Sequence, residues 1–410
     1  MSAIPHDPNR PAFRQLDLHE VREQDQRGIL LTDRLGISEP VFIPEALLPI
    51  VGLFDGQRTV AEIAREASAS CGECVPPEFV SRIVAQLDER FALLSERFER
   101  RLEREVRAFL DRTVRPCRQA GSAGYPADAS ELRNALLPLF RRPGGAPGGR
   151  GDRRAPGALV APHIDLTRGR DGYSAAYRAL LAAGPADLYV IFGTGHSGPS
   201  APLTGLAMDW ETPLGIAATE RSFLEEVHAR IGAPSPFDVF LHRDEHSVEF
   251  QVLMLQFVHE LLGAGPVRVA GFLCGALPSA DGDPDREEYV AAIESALASA
   301  AREIGGRVCW VAGADLAHRG PSFGDPDPID EPALRALEER DRRRISFLEN
   351  GLPGQFHRAV EEVGNPDRVC SAPAIYLACS MAGAPMRLLH YGQAASAKQV
   401  VTFAALASRE

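Results

Sequence analysis

From Ala158 onward, short apolar runs alternate with helical stripes, and few folds satisfy that alternation. Ala158-Leu-Val-Ala, Asp187-Leu-Tyr-Val-Ile-Phe, Val267-Arg-Val-Ala-Gly-Phe-Leu-Cys274 and Val308-Cys-Trp-Val-Ala-Gly313 read as buried strands. Helical patterns over residues 173–181, 218–231, 244–262 and 287–304 lie between them. Strands and helices in that order build an α/β core with a mostly parallel sheet. Two further strands, 386–391 and 399–405, are expected to pair and close it.

Three of these strands end on chemistry. His163 and His196 each follow a strand, and the fourth strand turns through Gly313 into Asp315 and His318. Ligands of open α/β sheets bind beyond the carboxyl ends of the strands, so these side chains are expected to converge. A single histidine after a strand is ordinarily a hydrogen-bonded turn residue; three such events are harder to read that way. Imidazole is the commonest ligand of first-row transition metals, and a carboxylate or thiolate often completes the set. Cys370 stands just before a predicted helix, whose N-terminus would lower the pKa of a thiol. Within the helix expected over Asp244–Leu262, His246 and Glu249 share one face and could hold the ligands in place. The plainer alternative is that Asp244 and Glu245 complement the helix dipole and His246 is structural.

Other chemistries fit less well. No Gly-x-Ser-x-Gly elbow or Walker lysine loop is present. Gly193-Thr-Gly-His-Ser-Gly198 matches a dinucleotide-binding pattern, but Pro199 and Pro202 follow where a helix would have to open. Cys71 and Cys74 form a Cys-x-x-Cys pair without a second pair, which a structural zinc site would need. The net charge of −12 speaks against nucleic acid as a general partner. No apolar run nears the roughly 18 residues that span a bilayer. The first residues lack a secretory pattern, so a cytoplasmic location is the expectation.

The 410 residues divide, on this reading, into a small N-terminal domain (1–95), a charged helical connector (96–115) and the α/β domain (116–410). In the first domain Gly28–Asp33 reads as a hairpin arm, and Thr59 with Glu62 forms a capping box. The Gly-, Pro- and Arg-rich stretch 141–157 reads as a flexible loop.

Two resemblances sharpen these expectations. Leu53-Phe-Asp-Gly-Gln-Arg-Thr-Val-Ala-Glu-Ile63 and Leu87 to Leu94 resemble PqqD-like winged-helix modules, which implies an α+β unit that recognises a peptide or partner protein. A generic helical cap is the alternative. Tyr125-Pro-Ala-Asp-Ala-Ser-Glu-Leu, Ala161-Pro-His, Gly193-Thr-Gly-His-Ser-Gly, Trp210-Glu-Thr-Pro-Leu-Gly, Glu245-His-Ser-Val-Glu-Phe-Gln, Ala312-Gly-Ala-Asp-Leu-Ala-His and Val369-Cys together resemble the Memo family, also described as AmmeMemoRadiSam system protein B. That resemblance implies a fold related to the class III extradiol non-haem iron dioxygenases. It implies a metal pocket on His163, His196 and Cys370, with Asp315 and His318 beside it. Fe(II) is the expected metal, with copper or zinc as alternatives, and a radical SAM protein and an AMMECR-type protein are the implied partners. The family's usual Pro-His-Ala-Gly-Tyr is here Pro-His-Ile-Asp-Leu, followed by Arg168, Arg170, Asp171 and Tyr173, so the pocket's polarity differs. Two functions follow as expectations. One is a metal-dependent redox enzyme in which His318 handles a proton and Asp315 orients it or binds the metal. The other is a non-catalytic protein that binds metal or peptide.

Overall fold

The computed structural model describes residues 7–23, 26–122, 124–141, 155–279 and 282–409. Most of the stretch expected to be a flexible loop, residues 142–154, lies outside the described residues. The chain forms two compact units, Met1–Asp111 and Arg112–Glu410.

The first unit carries a three-stranded antiparallel sheet, Asp17–Glu23, Gln26–Thr32 and Val41–Pro44 in sequence order. Its longer helices are Val60–Cys71, Pro77–Glu89 and Glu96–Leu110, after a single turn at Leu48–Val51. Thr59 and Glu62 cap the first of them reciprocally, as their spacing predicts. Ile43, Phe54, Ile63, Val80 and Leu87 meet in a core of their own. Cys71 and Cys74 are both exposed.

The second unit is built on a large mixed sheet. Its centre runs Ala158–Ala161, Val308–Gly313, Leu188–Thr194, Arg268–Cys274, all parallel. Every residue of the first and third of these strands is buried, because helices cover both faces; that is why they read as unbroken apolar runs. On one face Val160, Val190, Phe192, Phe272 and Ala312 pack with Val227, Ile293, Leu297 and Leu377 from helices Arg221–Ile231, Glu288–Ile304 and Ala372–Ala382. Helices Arg170–Ala183 and Glu249–Leu262 also pack on the sheet. Met386–Ala395 and Val400–Ser408 pair antiparallel at one side, as expected.

Two local expectations change. The predicted loop after Gly313 is instead a strand, Asp315–Arg319, paired antiparallel with Val400–Ser408 and bulged between Asp315 and His318. Its partner lies over eighty residues away, so no local pattern announces it. The helix expected from Asp244 begins only at Glu249. The Glu245 carboxylate accepts the amides of His246 (2.8 Å) and Ser247 (3.2 Å), a local bonding pattern that competes with the helical one.

Candidate metal centre

Register brings the strand ends level. Gly313 lies opposite both Ala161 and Gly193 on its two neighbours, so His163, His196 and Asp315 leave three adjacent strands at one height. The turn 244–248 then lies across those ends. Ser247 Oγ donates to the Thr194 carbonyl at 3.0 Å. Such close approach requires glycine beneath it: a Cβ on Gly313 would stand 2.2 Å from the Ser247 carbonyl oxygen, and one on Gly193 2.5 Å from Ser247 Oγ.

Three imidazoles meet there. Ligand nitrogens of His163, His196 and His246 all lie within 4.8 Å of one another. The His163 ring stands edge-on to the other two, at 4.9 and 5.4 Å, while His196 and His246 stack nearly parallel at 5.1 Å. His163 Nδ1 donates to the Gly313 carbonyl at 2.9 Å, which leaves the Nε2 lone pair free to ligate. His196 Nδ1 lies 3.0 Å from both oxygens of Glu245, which fixes the orientation of that ring. Glu245 also accepts the His196 amide at 3.0 Å. Burial opposes charge on His196, but Glu245 and the Cys370 sulfur outweigh it and raise that imidazole's pKa well above its ordinary value. On His246 burial prevails and lowers the pKa to about 4.

Cys370 Sγ lies 3.8 Å from His163 Nε2. Burial would raise its pKa, yet hydrogen bonds with His163 and His196 outweigh that and bring it to about 6. The two imidazoles are the largest lowering influences on it. Ser371 beside it bonds Thr194 Oγ1 at 2.8 Å and accepts the Asp315 amide at 3.1 Å. Asp315 accepts the His163 amide (3.1 Å) and lies 3.5 Å from His163 Nε2; burial raises its pKa to about 6. His318 Nδ1 faces the carbonyls of Leu316 and Arg368 at 3.1 and 3.2 Å, and burial lowers its pKa. The loop that delivers Cys370 is tied down by Asp367, which binds Arg340 (2.8 Å), Arg344 (2.7 Å) and Arg319 (3.2 Å). The Asp367 carbonyl accepts the His318 amide at 2.8 Å.

Glu249 occupies a different position from the one its spacing suggested. Its buried carboxylate pairs with the buried Arg115, accepts the Tyr125 hydroxyl at 2.6 Å and takes the Gln119 amide at 2.9 Å. Arg115 in turn donates to the carbonyls of His242 (3.0 Å) and Glu245 (2.5 Å), so this network fixes the turn from behind. Glu245, read from sequence only as a dipole partner, is the carboxylate that holds a site histidine. A glutamate immediately before a histidine was the available signal. His246, expected as a supporting residue, stands in the cluster itself.

A model of the family described as Memo-like protein matches residues 115–407, which contain every residue of the cluster. The chain belongs to the Memo-like family. A MEMO1 family protein of Aquifex aeolicus is 26% identical over 339 residues, covering 83% of this chain and 82% of its own length. One from Thermus thermophilus is 30% identical over 319 residues (76% and 86%), and one from Pyrococcus furiosus 29% over 290 (67% and 91%). In this Memo-like chain the Gly-x-Gly-x-x-Gly segment opens no helix: residues 195–202 are irregular and the strand Leu203–Gly205 follows.

Proposed function

We propose that the cluster is a transition-metal centre and that the protein is a metal-dependent redox enzyme. The observation that carries this reading is the convergence of three imidazoles within 4.8 Å. The donor chemistry fits a metal: two rings have their outer nitrogens fixed by a carbonyl and a carboxylate, and a low-pKa thiol stands beside them. His163 and His196 would hold the ion with Cys370 or His246, Fe(II) foremost and copper or zinc as alternatives. Bound there, Fe(II) would supply one-electron chemistry toward dioxygen. The protein's own residues handle the proton. His318 keeps Nδ1 on two carbonyls, so its Nε2 is the accepting atom, and its lowered pKa leaves it neutral at pH 7. Asp315 stabilises the charge that follows. A relationship to the class III extradiol dioxygenases belongs to this reading.

Metal analysis of anaerobically purified protein tests it, with His163→Ala, His196→Ala and Cys370→Ala. Near-stoichiometric metal in the wild type, lost in the histidine variants, is expected. A wild type with no transition metal would sink the reading. Metal without oxygen uptake across candidate reductants and catechols would favour the metal- or peptide-binding alternative.

A second role is supported by the separate N-terminal unit, with its own sheet and core. As a PqqD-like winged-helix module it would recruit a peptide or a partner such as a radical SAM or AMMECR-type protein. Pull-down of such partners should weaken when residues 1–111 are removed; unchanged recovery would refute recruitment.

A further inference from the structure

Beside the histidine cluster is a cleft of about 740 Å³ that none of the three imidazoles lines. One wall is the helix Ala129–Phe140, presenting Ala135 and Pro138 over the buried Leu132 and Leu139. The other wall is Leu166, Thr167 and Arg170, the chain's continuation from His163. Tyr125 also borders the cleft, and its ring meets Phe250 at 6.0 Å, which meets His246 at 5.4 Å. Two aromatic rings, Tyr125 and Phe250, therefore separate the cleft from the cluster.

Its charge is specific. Arg168, two residues away, is paired with Asp165. Arg170 is exposed into the cleft and makes no ion pair or hydrogen bond among the described residues. A guanidinium without a partner, above apolar side chains, matches a planar two-oxygen anion. The anion should carry a single charge, since Glu131 also lines the cleft and would repel a dianion. The volume suits one small organic molecule.

We propose that this cleft binds a small organic monocarboxylate with an apolar body, its carboxylate on Arg170 and its body against Ala135, Pro138 and Leu166. The proposal deepens the metal-enzyme reading, because it names the ligand class brought next to that centre, but binding itself needs no metal.

Isothermal titration of the full-length protein with 3-phenylpropionate tests it, with 3-phenylpropionamide as the neutral isostere. Metal content is measured in parallel, and circular dichroism checks that each variant is folded. Saturable binding of the acid is expected, about tenfold tighter than the amide, the scale of one charge-assisted contact. Arg170→Gln should abolish that preference. Ala135→Phe, which fills the cleft from an exposed position, should weaken both ligands, while Arg168→Gln should change neither by more than about twofold. Equal binding of acid and amide, unaltered binding by folded Arg170→Gln, or no saturable binding would each overturn the proposal. Loss of binding with metal retained condemns the cleft alone; binding retained in a metal-free protein condemns the metal reading alone.

Discussion

Gly313 and Glu245 set the geometry of the cluster without contributing a ligand. Gly313→Ala would place a methyl 2.2 Å from the Ser247 carbonyl and 2.9 Å from Gln251 Nε2. The turn must lift, and it carries His246. Overpacking of this kind typically costs about 1–3 kcal/mol, so a lower melting temperature and weaker metal uptake are expected together. A variant with normal stability and normal uptake would show that the turn tolerates displacement. Glu245→Gln keeps the size but removes the charge that holds His196. Loss of such a supporting carboxylate typically lowers metal affinity about 10- to 100-fold, measurable by competition with a chelator. At this scale the sequence was partly legible. His163 and His196 could be found because each follows an unbroken apolar run, whereas Glu245 holds a histidine 49 positions away, and the adjacent His246 was its one local hint.

Among the elements, the short stretch Val114–Arg115 does more than its length suggests. It pairs with Asp209–Thr212, and Arg115 stacks on Trp210 at 4.9 Å while bonding Glu249, the His242 carbonyl and the Glu245 carbonyl of the histidine-bearing turn. Removing one partner of a buried pair leaves the other charge uncompensated, so Arg115→Ala should cost about 3–5 kcal/mol in denaturant unfolding. Arg115→Met with Glu249→Leu should cost less than that single change; a larger loss would mean that the charges themselves organise the turn. Acid should act through the same region. His242 is wholly buried and its pKa falls to about 3, burial being the main cause. Its folded value lies below its unfolded value, so the unfolded chain binds the extra proton. Stability is full above about pH 6.5 and is lost as pH falls toward 3. His242→Gln can keep a donor for the Thr204 carbonyl and should flatten that slope in urea titrations; an unchanged slope would assign it to other groups. The central strands were legible because a doubly covered strand is apolar throughout. Asp315–Arg319 was not, since a strand at that position exists only through its distant partner.

At the scale of the whole molecule, the division between the units decides what can be cut. Among the described residues, the core of the first unit is built from residues between Leu31 and Leu93, and the family match begins at residue 115. Charge density alone placed the connector at residues 96–115. The helix in that region ends at Leu110, and the next two paired residues, Val114 and Arg115, belong to the sheet of the second unit. The charged run mixes two things that composition cannot separate: a solvated helix face, and one arginine whose side chain is fully buried. The two possible cuts therefore differ sharply in outcome. A chain of residues 112–410 keeps Arg115 and its network, and should fold with metal affinity within about twofold of the full-length protein, because none of the cluster's residues lies before the cut. A chain of residues 116–410 loses Arg115 and leaves Glu249 buried without its cation. It should be destabilised by several kcal/mol, about as much as Arg115→Ala, and should take up less metal. Thermal melts and metal titrations of the two chains, compared side by side, decide the matter. Equal behaviour would mean that the buried arginine does not organise the site, and failure of both would mean that the second unit depends on the first.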